Sequence, residues 1–353
     1  MKADERICIA LCGDVMTGRG IDQALPSPGD PAVYEPYVCD AREYLTLAQR
    51  RNGPLEFPVS FGYIWGDALD ELGRRRPRAR IVNLETSITT ATDAWPGKGI
   101  NYRMHPGNLP CLTAAGIDMC ALANNHVLDW GYEGLEETLR SLSRAGIAYA
   151  GAGETLQDAR RPASRERDGS SRRILLFSCG FQSSGIPEQW AATDSRPGVF
   201  LLPHPAEIDA GLLHEWIGRR RGSDDIVIVS IHWGSNWGYA IPRAHRRFAH
   251  MLVDELGVDI VHGHSSHHPR RMELHRGRPI LYGCGDCIND YEGIGGYEEY
   301  HPDLAIVYFV TLGAHETAPA HVERIPFHRG RLSLHRLPAD RLPPEIDEAP
   351  GSR

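Results

Sequence analysis

No stretch of this 353-residue chain is apolar for long enough to cross a membrane. The run nearest the N-terminus, Ile7–Cys12, has six residues, against the roughly 20 that a bilayer-spanning helix needs. No small-residue cleavage site follows it. Positive charge is also short: 38 Lys and Arg face 46 Asp and Glu, a formal net charge of -8. Nucleic-acid binding rests on a basic face that displaces counterions from phosphates, so nucleic acid is not expected as a partner. Of eight cysteines, only Cys284 and Cys287 form a C-x-x-C. No second pair completes a zinc cage, so these two are expected to be structural rather than redox-active. Cys8, Cys12, Cys111, Cys120 and Cys179 sit in or beside apolar runs, where free thiols act as small hydrophobes. Together these absences predict a cytoplasmic protein without membrane insertion. Nothing in the sequence signals an oligomeric state.

Hydrophobic residues make up 41% and charged residues 24% of the chain, which is material for one large globular core. Short β-branched runs recur, each followed by Gly, Asn or His. They predict strands at Ile7–Leu11, Arg80–Leu84, Met119–Leu122, Ile147–Ala150, Ile174–Ser178, Ile226–Ile231, Asp259–His262 and Ile280–Gly283, then Ala305–Val310, Val322–Phe327 and Leu332–Leu334. Helical patterns cover Tyr132–Arg144, Pro205–Arg221 and Pro242–Leu256. The last has Pro242 at its start and Gly257 just past its end, the expected asymmetry. Alternating strand and helix argues for a layered α/β architecture with mixed sheets. Residues 1–336 read as a single domain, with an aperiodic insertion at about 25–63 that covers the site. Arg161–Arg172 reads as a surface loop, and the proline-rich 337–353 as a disordered tail.

Chemistry-bearing residues follow the strands. Gly13-Asp14-Val15-Met16-Thr17-Gly18-Arg19 ends the first, and Asn83-Leu84-Glu85 the second. Ala123-Asn124-Asn125-His126, with Asp129 three residues on, ends the third. Later strands end in His232-Trp233-Gly234 and in His262-Gly263-His264-Ser265-Ser266-His267-His268. Carboxylate, amide and imidazole donors at the ends of several strands suit one converging site. Mixed oxygen and nitrogen donors favour Mn, Fe(II) or Zn over Ca or Mg. Arg19, Lys98 and Arg103 are available for an anionic substrate, small or polymeric. Trp233 and Trp237 flank the His232 loop and either wall the pocket or pack in the core.

In this order, G-D-V-M-x-G-R, N-L-E-T-x-I-T, A-N-N-H-x-x-D-x-G, H-W-G and G-H-x-x-H resemble the CapA/PgsA family of capsule (poly-γ-glutamate) synthesis, a branch of the calcineurin-like metallophosphoesterase superfamily. The resemblance implies a four-layer α/β sandwich with one or two divalent metal ions at the strand ends. It implies that Asp14 and His267 serve the first metal, that Glu85 bridges, and that Asn125, His232 and His264 serve the second. His126 matches a substrate-facing histidine, and Asp129 would orient it. Met16 stands where the superfamily usually carries histidine, and Gly285-Asp286 stands where relatives carry Gly-Asn, which adds an acidic group. The expected function is metal-dependent hydrolysis of a phosphoester or a γ-glutamyl amide, with a metal-stabilised, non-catalytic accessory role as the alternative.

Overall fold

The computed structural model describes residues 6–166, 172–313 and 319–347. Two mixed sheets carry the architecture, one of eight strands and one of six. In the first, Ile7–Val15 lies between the parallel Ala79–Leu84 and the antiparallel Leu304–Leu312, and Asp286–Ile288 pairs in parallel with its last residues. In the second, Ile174–Gly180, Ile226–His232 and Ile260–His264 run parallel side by side. An antiparallel hairpin, Met272–His275 with Arg278–Leu281, forms one edge.

Alternation along the strands sets the layers. Ile7, Ile9 and Leu11 pack with Ile174, Leu176, Ile226 and Ile228 of the other sheet, so the two sheets face one another. Their intervening neighbours point away. Ala10 and Cys12 join Val82, Leu135, Leu139 and Leu142, where the helix Gly131–Arg144 covers the first sheet. Val227, Val229 and Ile231 meet Trp216, Phe248 and Leu252, where the helix Arg243–Leu256 covers the second. Helix, sheet, sheet, helix is the expected four-layer α/β sandwich. Burial of these paired faces is what excludes water from the strand ends.

Several elements differ from expectation. The segment Pro205–Arg221 is not one helix: a 3-10 turn, a four-residue α-turn and the π-turn His214–Gly218 share it. The strand expected to end at His262 continues through His264, which puts both imidazoles on a rigid element. Part of the segment expected as a disordered tail, up to Ile346, lies against the fold. Ile346 is buried against the inter-sheet core, and Arg324 donates to its carbonyl at 2.9 Å; residues 348–353 lie outside the described range, as does 167–171 of the expected surface loop. The insertion folds around the helix Arg42–Asn52. All eight cysteines are free, and Cys284 and Cys287 are buried. Among the described residues no helix is long and apolar enough to cross a membrane.

Candidate metal centre

Pairing register creates the site. His232 and His264 are register partners on neighbouring parallel strands, and Asp14 is opposite both Asn83 and Asp286. Close backbone approach makes the second pairing possible. A Cβ on Gly13 would lie 1.8 Å from the carbonyl oxygen of Gly285, so only glycine lets the two strands meet there. The sheets are tied at the same level by His262 Nε2, 2.8 Å from the Cys12 carbonyl, and by the Ser265 amide, which donates to Asp14 Oδ2 at 3.2 Å. Ser265 has φ 98°, a strained turn held between two histidine-bearing positions.

Two donor groups result, each with its ligand atoms within 4.8 Å of one another: Asp14, His232 and His264, and Asp14, His267 and Asp286. Asp14 is common to both. Asp286, noted in the sequence only as an added acidic group, belongs to the second of them. Asn125 reaches the first group through its Oδ1, 3.0 Å from His232 Nε2. Glu85 Oε1 stands 3.9 Å from that same nitrogen and 3.8 Å from His126 Nε2.

The electrostatics suit cations. Burial raises the Asp14 carboxyl to about 7, with the nearby Asp286 charge adding to the effect. Burial also pushes Glu85 well up, helped by Asp14 and Asp286. His232 and His264 are held well below the usual imidazole range by burial, hence neutral and able to ligate. Their Nδ1 atoms face one another at 2.8 Å. His264 Nε2 is occupied by the Ser230 hydroxyl at 2.8 Å, which leaves Nδ1 for a ligand. His267 and Asp286 behave as an ion pair, Nδ1 to Oδ1 2.9 Å. Burial, the largest single effect, would lower the imidazole, yet the Asp286 charge, its hydrogen bond and the Asp14 charge together carry the net direction up. Buried carboxylates crowded against facing imidazole lone pairs are a donor set that a divalent transition ion satisfies.

Beside these donors stands His126. Its Nδ1 is 2.6 Å from Asp129 Oδ2, an oxygen that also accepts from the Tyr102 amide at 2.7 Å. Burial lowers this imidazole to about 4. Nδ1 therefore donates to the carboxylate, and Nε2 is the unprotonated face turned toward Glu85. Lys98 Nζ lies 3.3 Å from His126 Nδ1 and 3.1 Å from Asp129 Oδ1, at the site as expected.

The two arginines are placed differently. Arg19 is buried, pairs with Asp290 and Glu35, and lies over the rings of Tyr44 and Tyr102. It fastens the insertion to the site wall, its donors taken by the protein. Arg103 donates to the carbonyls of Ala91 and Asp30 and stacks on Trp130, away from the cavity. Trp233 is core, stacked on His245, whereas Trp237 lines the cavity and stacks on Tyr297 at 4.0 Å. That cavity, about 780 Å³, opens at His267 and is bounded by the insertion and by residues 291–298. Asn83, named in the sequence without a role, donates through Nδ2 to both Asp14 and Glu85; Ser230 had no signal beyond being a polar residue inside a β-branched run.

The model for the family Bacterial capsule synthesis protein PGA_cap matches residues 8–291, the span that carries every donor described above. The chain belongs to this family. A PGA_cap relative from Mycobacterium tuberculosis, named Probable polyglutamine synthesis accessory protein, is 46% identical over 332 residues, covering 94% of this chain and 87% of its own. Capsule biosynthesis protein CapA of Bacillus anthracis is 23% identical over 82% of this chain and 61% of its own. PGA biosynthesis protein CapA of Bacillus subtilis is 24% identical over 82% of this chain and 64% of its own. Membership of PGA_cap supports a role in capsule or polyglutamate synthesis.

Proposed function

We propose that this chain is a metal-dependent hydrolase acting on an anionic substrate of polyglutamate or capsule synthesis, at a phosphoester or a γ-glutamyl amide bond. One observation carries the reading: two donor groups joined by Asp14 lie beside a neutral His126 whose tautomer Asp129 fixes. Asp14, His232 and His264, with Asn125, would hold one ion, and Asp14, His267 and Asp286 the other. Bound Mn, Fe(II) or Zn supplies Lewis-acid charge for hydrolysis. His126 Nε2 takes a proton from the attacking water and returns it to the leaving oxygen or nitrogen. A group held near 4 is not an acid at neutral pH, so acceptance precedes donation. Asp129 stabilises the imidazolium formed between the two transfers, and Lys98 places positive charge where a substrate carboxylate or phosphate arrives.

A non-catalytic accessory role is the second reading, favoured by the printed name of the mycobacterial relative. Metal-loaded protein incubated with phosphate esters, γ-glutamyl amides and poly-γ-glutamate separates the two. Hydrolysis that a chelator abolishes supports the enzyme. Folded, metal-loaded protein inert toward both bond types would favour the accessory role.

A further inference from the structure

Away from the strand ends, one more set of metal-type side chains converges. His250 and Asp254 are one turn apart on the helix Arg243–Leu256, hence on the same face. Glu273 and His275 alternate on the edge strand Met272–His275, hence also on one face. The two faces meet. A ring nitrogen of each histidine and a carboxylate oxygen of Glu273 lie within 4.8 Å of one another. The imidazoles are nearly parallel, 6° apart with centroids at 3.9 Å. His250 Nε2 faces Glu273 Oε1, and His275 Nε2 is 2.8 Å from Asp254 Oδ1.

We propose that His250, Glu273 and His275 form a zinc site that clips the edge hairpin of the second sheet to the covering helix. Two imidazoles and a carboxylate suit Zn²⁺, with water completing the tetrahedron. Donors around tetrahedral zinc stand about 3.3 Å apart, given metal–ligand bonds near 2.1 Å. Contraction from the present spread is within reach of side chains that are each 18–29% exposed. Asp254 accepts from His275 Nε2, which leaves Nδ1 as the nitrogen free to ligate. The Tyr282 hydroxyl holds the other oxygen of Glu273 at 2.9 Å, fixing the carboxylate. Two cations compete, Arg246 at 3.9 Å from Glu273 and Arg276 at 2.9 Å from Asp254. Both guanidinium side chains are more than half exposed, and such surface pairs give way cheaply. The clip would also hold down a sheet edge that, among the described residues, has no strand beyond it.

No ligand is shared with the strand-end centre, so the two sites are separable. Wild-type protein, His250→Asn and His275→Asn would be equilibrated with buffered Zn²⁺, freed of unbound ion and analysed for zinc. The expected result is one equivalent fewer in each variant, with far-UV circular dichroism unchanged. Equal zinc in all three overturns the proposal. Should a variant misfold, the anomalous difference map of a zinc-soaked wild-type crystal decides. A peak between His250 and His275 supports the clip, and its absence with zinc present elsewhere rejects it.

Discussion

Replacing Asp14 by Asn should stabilise the metal-free protein at pH 8, and that gain should vanish or reverse by pH 5. The folded protein raises this carboxyl from 3.8 to about 7, so it binds the proton more tightly than the unfolded chain does. Between those limits unfolding releases a proton, and stability falls as pH rises. At 1.36 kcal/mol per pKa unit, the ionised Asp14 costs the metal-free fold on the order of 4 kcal/mol above pH 7. Asn removes that cost but accepts only one of the two bonds from Asn83 Nδ2 and the Ser265 amide. One buried donor left facing an amide N–H costs about 1–3 kcal/mol, leaving a net gain of roughly 1–3 kcal/mol at pH 8. At pH 5 the folded carboxyl is protonated and only ionisation of the unfolded chain counts, about 1.6 kcal/mol, so the lost bond cancels or outweighs the variant's gain. Saturating metal reverses the order at pH 8, because wild type gains about 2.7 kcal/mol at 100 times Kd while the variant has lost the donor common to both groups. Denaturant titrations with chelator and with Zn²⁺ or Mn²⁺, at both pH values, read all four states. A variant equally destabilised at both pH values with chelator, and stabilised by metal as wild type is, would refute the reasoning.

His126→Ala should leave metal content unchanged, since His126 belongs to neither donor group, while turnover falls about 10²–10⁴-fold; elemental analysis and kinetics on one preparation check it, and Asp129→Asn should lose less. Arg19→Met should cost about 3–5 kcal/mol in denaturant stability, because it leaves Glu35 and Asp290 buried and unpaired. An arginine that served only substrate binding would instead raise KM and spare stability. Apparent affinity for the ion at Asp14, His232 and His264 should drop about tenfold per pH unit below pH 7 as Asp14 takes up a proton, while the neutral His232 and His264 offer no competition there. Competition titrations against a chelator measure this slope, and an affinity flat between pH 5.5 and 7 contradicts it.

The layers and most strands were legible in the sequence because inter-sheet packing demands β-branched residues on both faces, and these leave long apolar runs. The site was partly legible. Residues at strand ends, such as Asp14 and His232, stand out against the apolar run before them. Asp286 stood out only as an added acidic group, because its pairing with Asp14 comes from two glycines, Gly13 and Gly285, meeting 272 positions apart, which no local pattern encodes. Arg19 and Arg103 read as free cations because their partners, Asp290, Glu35 and Trp130, come from distant segments. The segment Pro205–Arg221 kept its apolar spacing while a π-turn changed its geometry. Proline content marked 337–347 as loose, yet Ile346 anchors it.

The most direct test of the account is the metal content of purified protein after equilibration with Mn²⁺ or Zn²⁺, compared with His232→Ala. His232 is buried and offers a neutral nitrogen to the group it shares with Asp14 and His264. Wild type should retain roughly one to two equivalents at the strand ends, and the variant should lose about one of them. Identical metal content in the two proteins, or no bound metal in either, would contradict it.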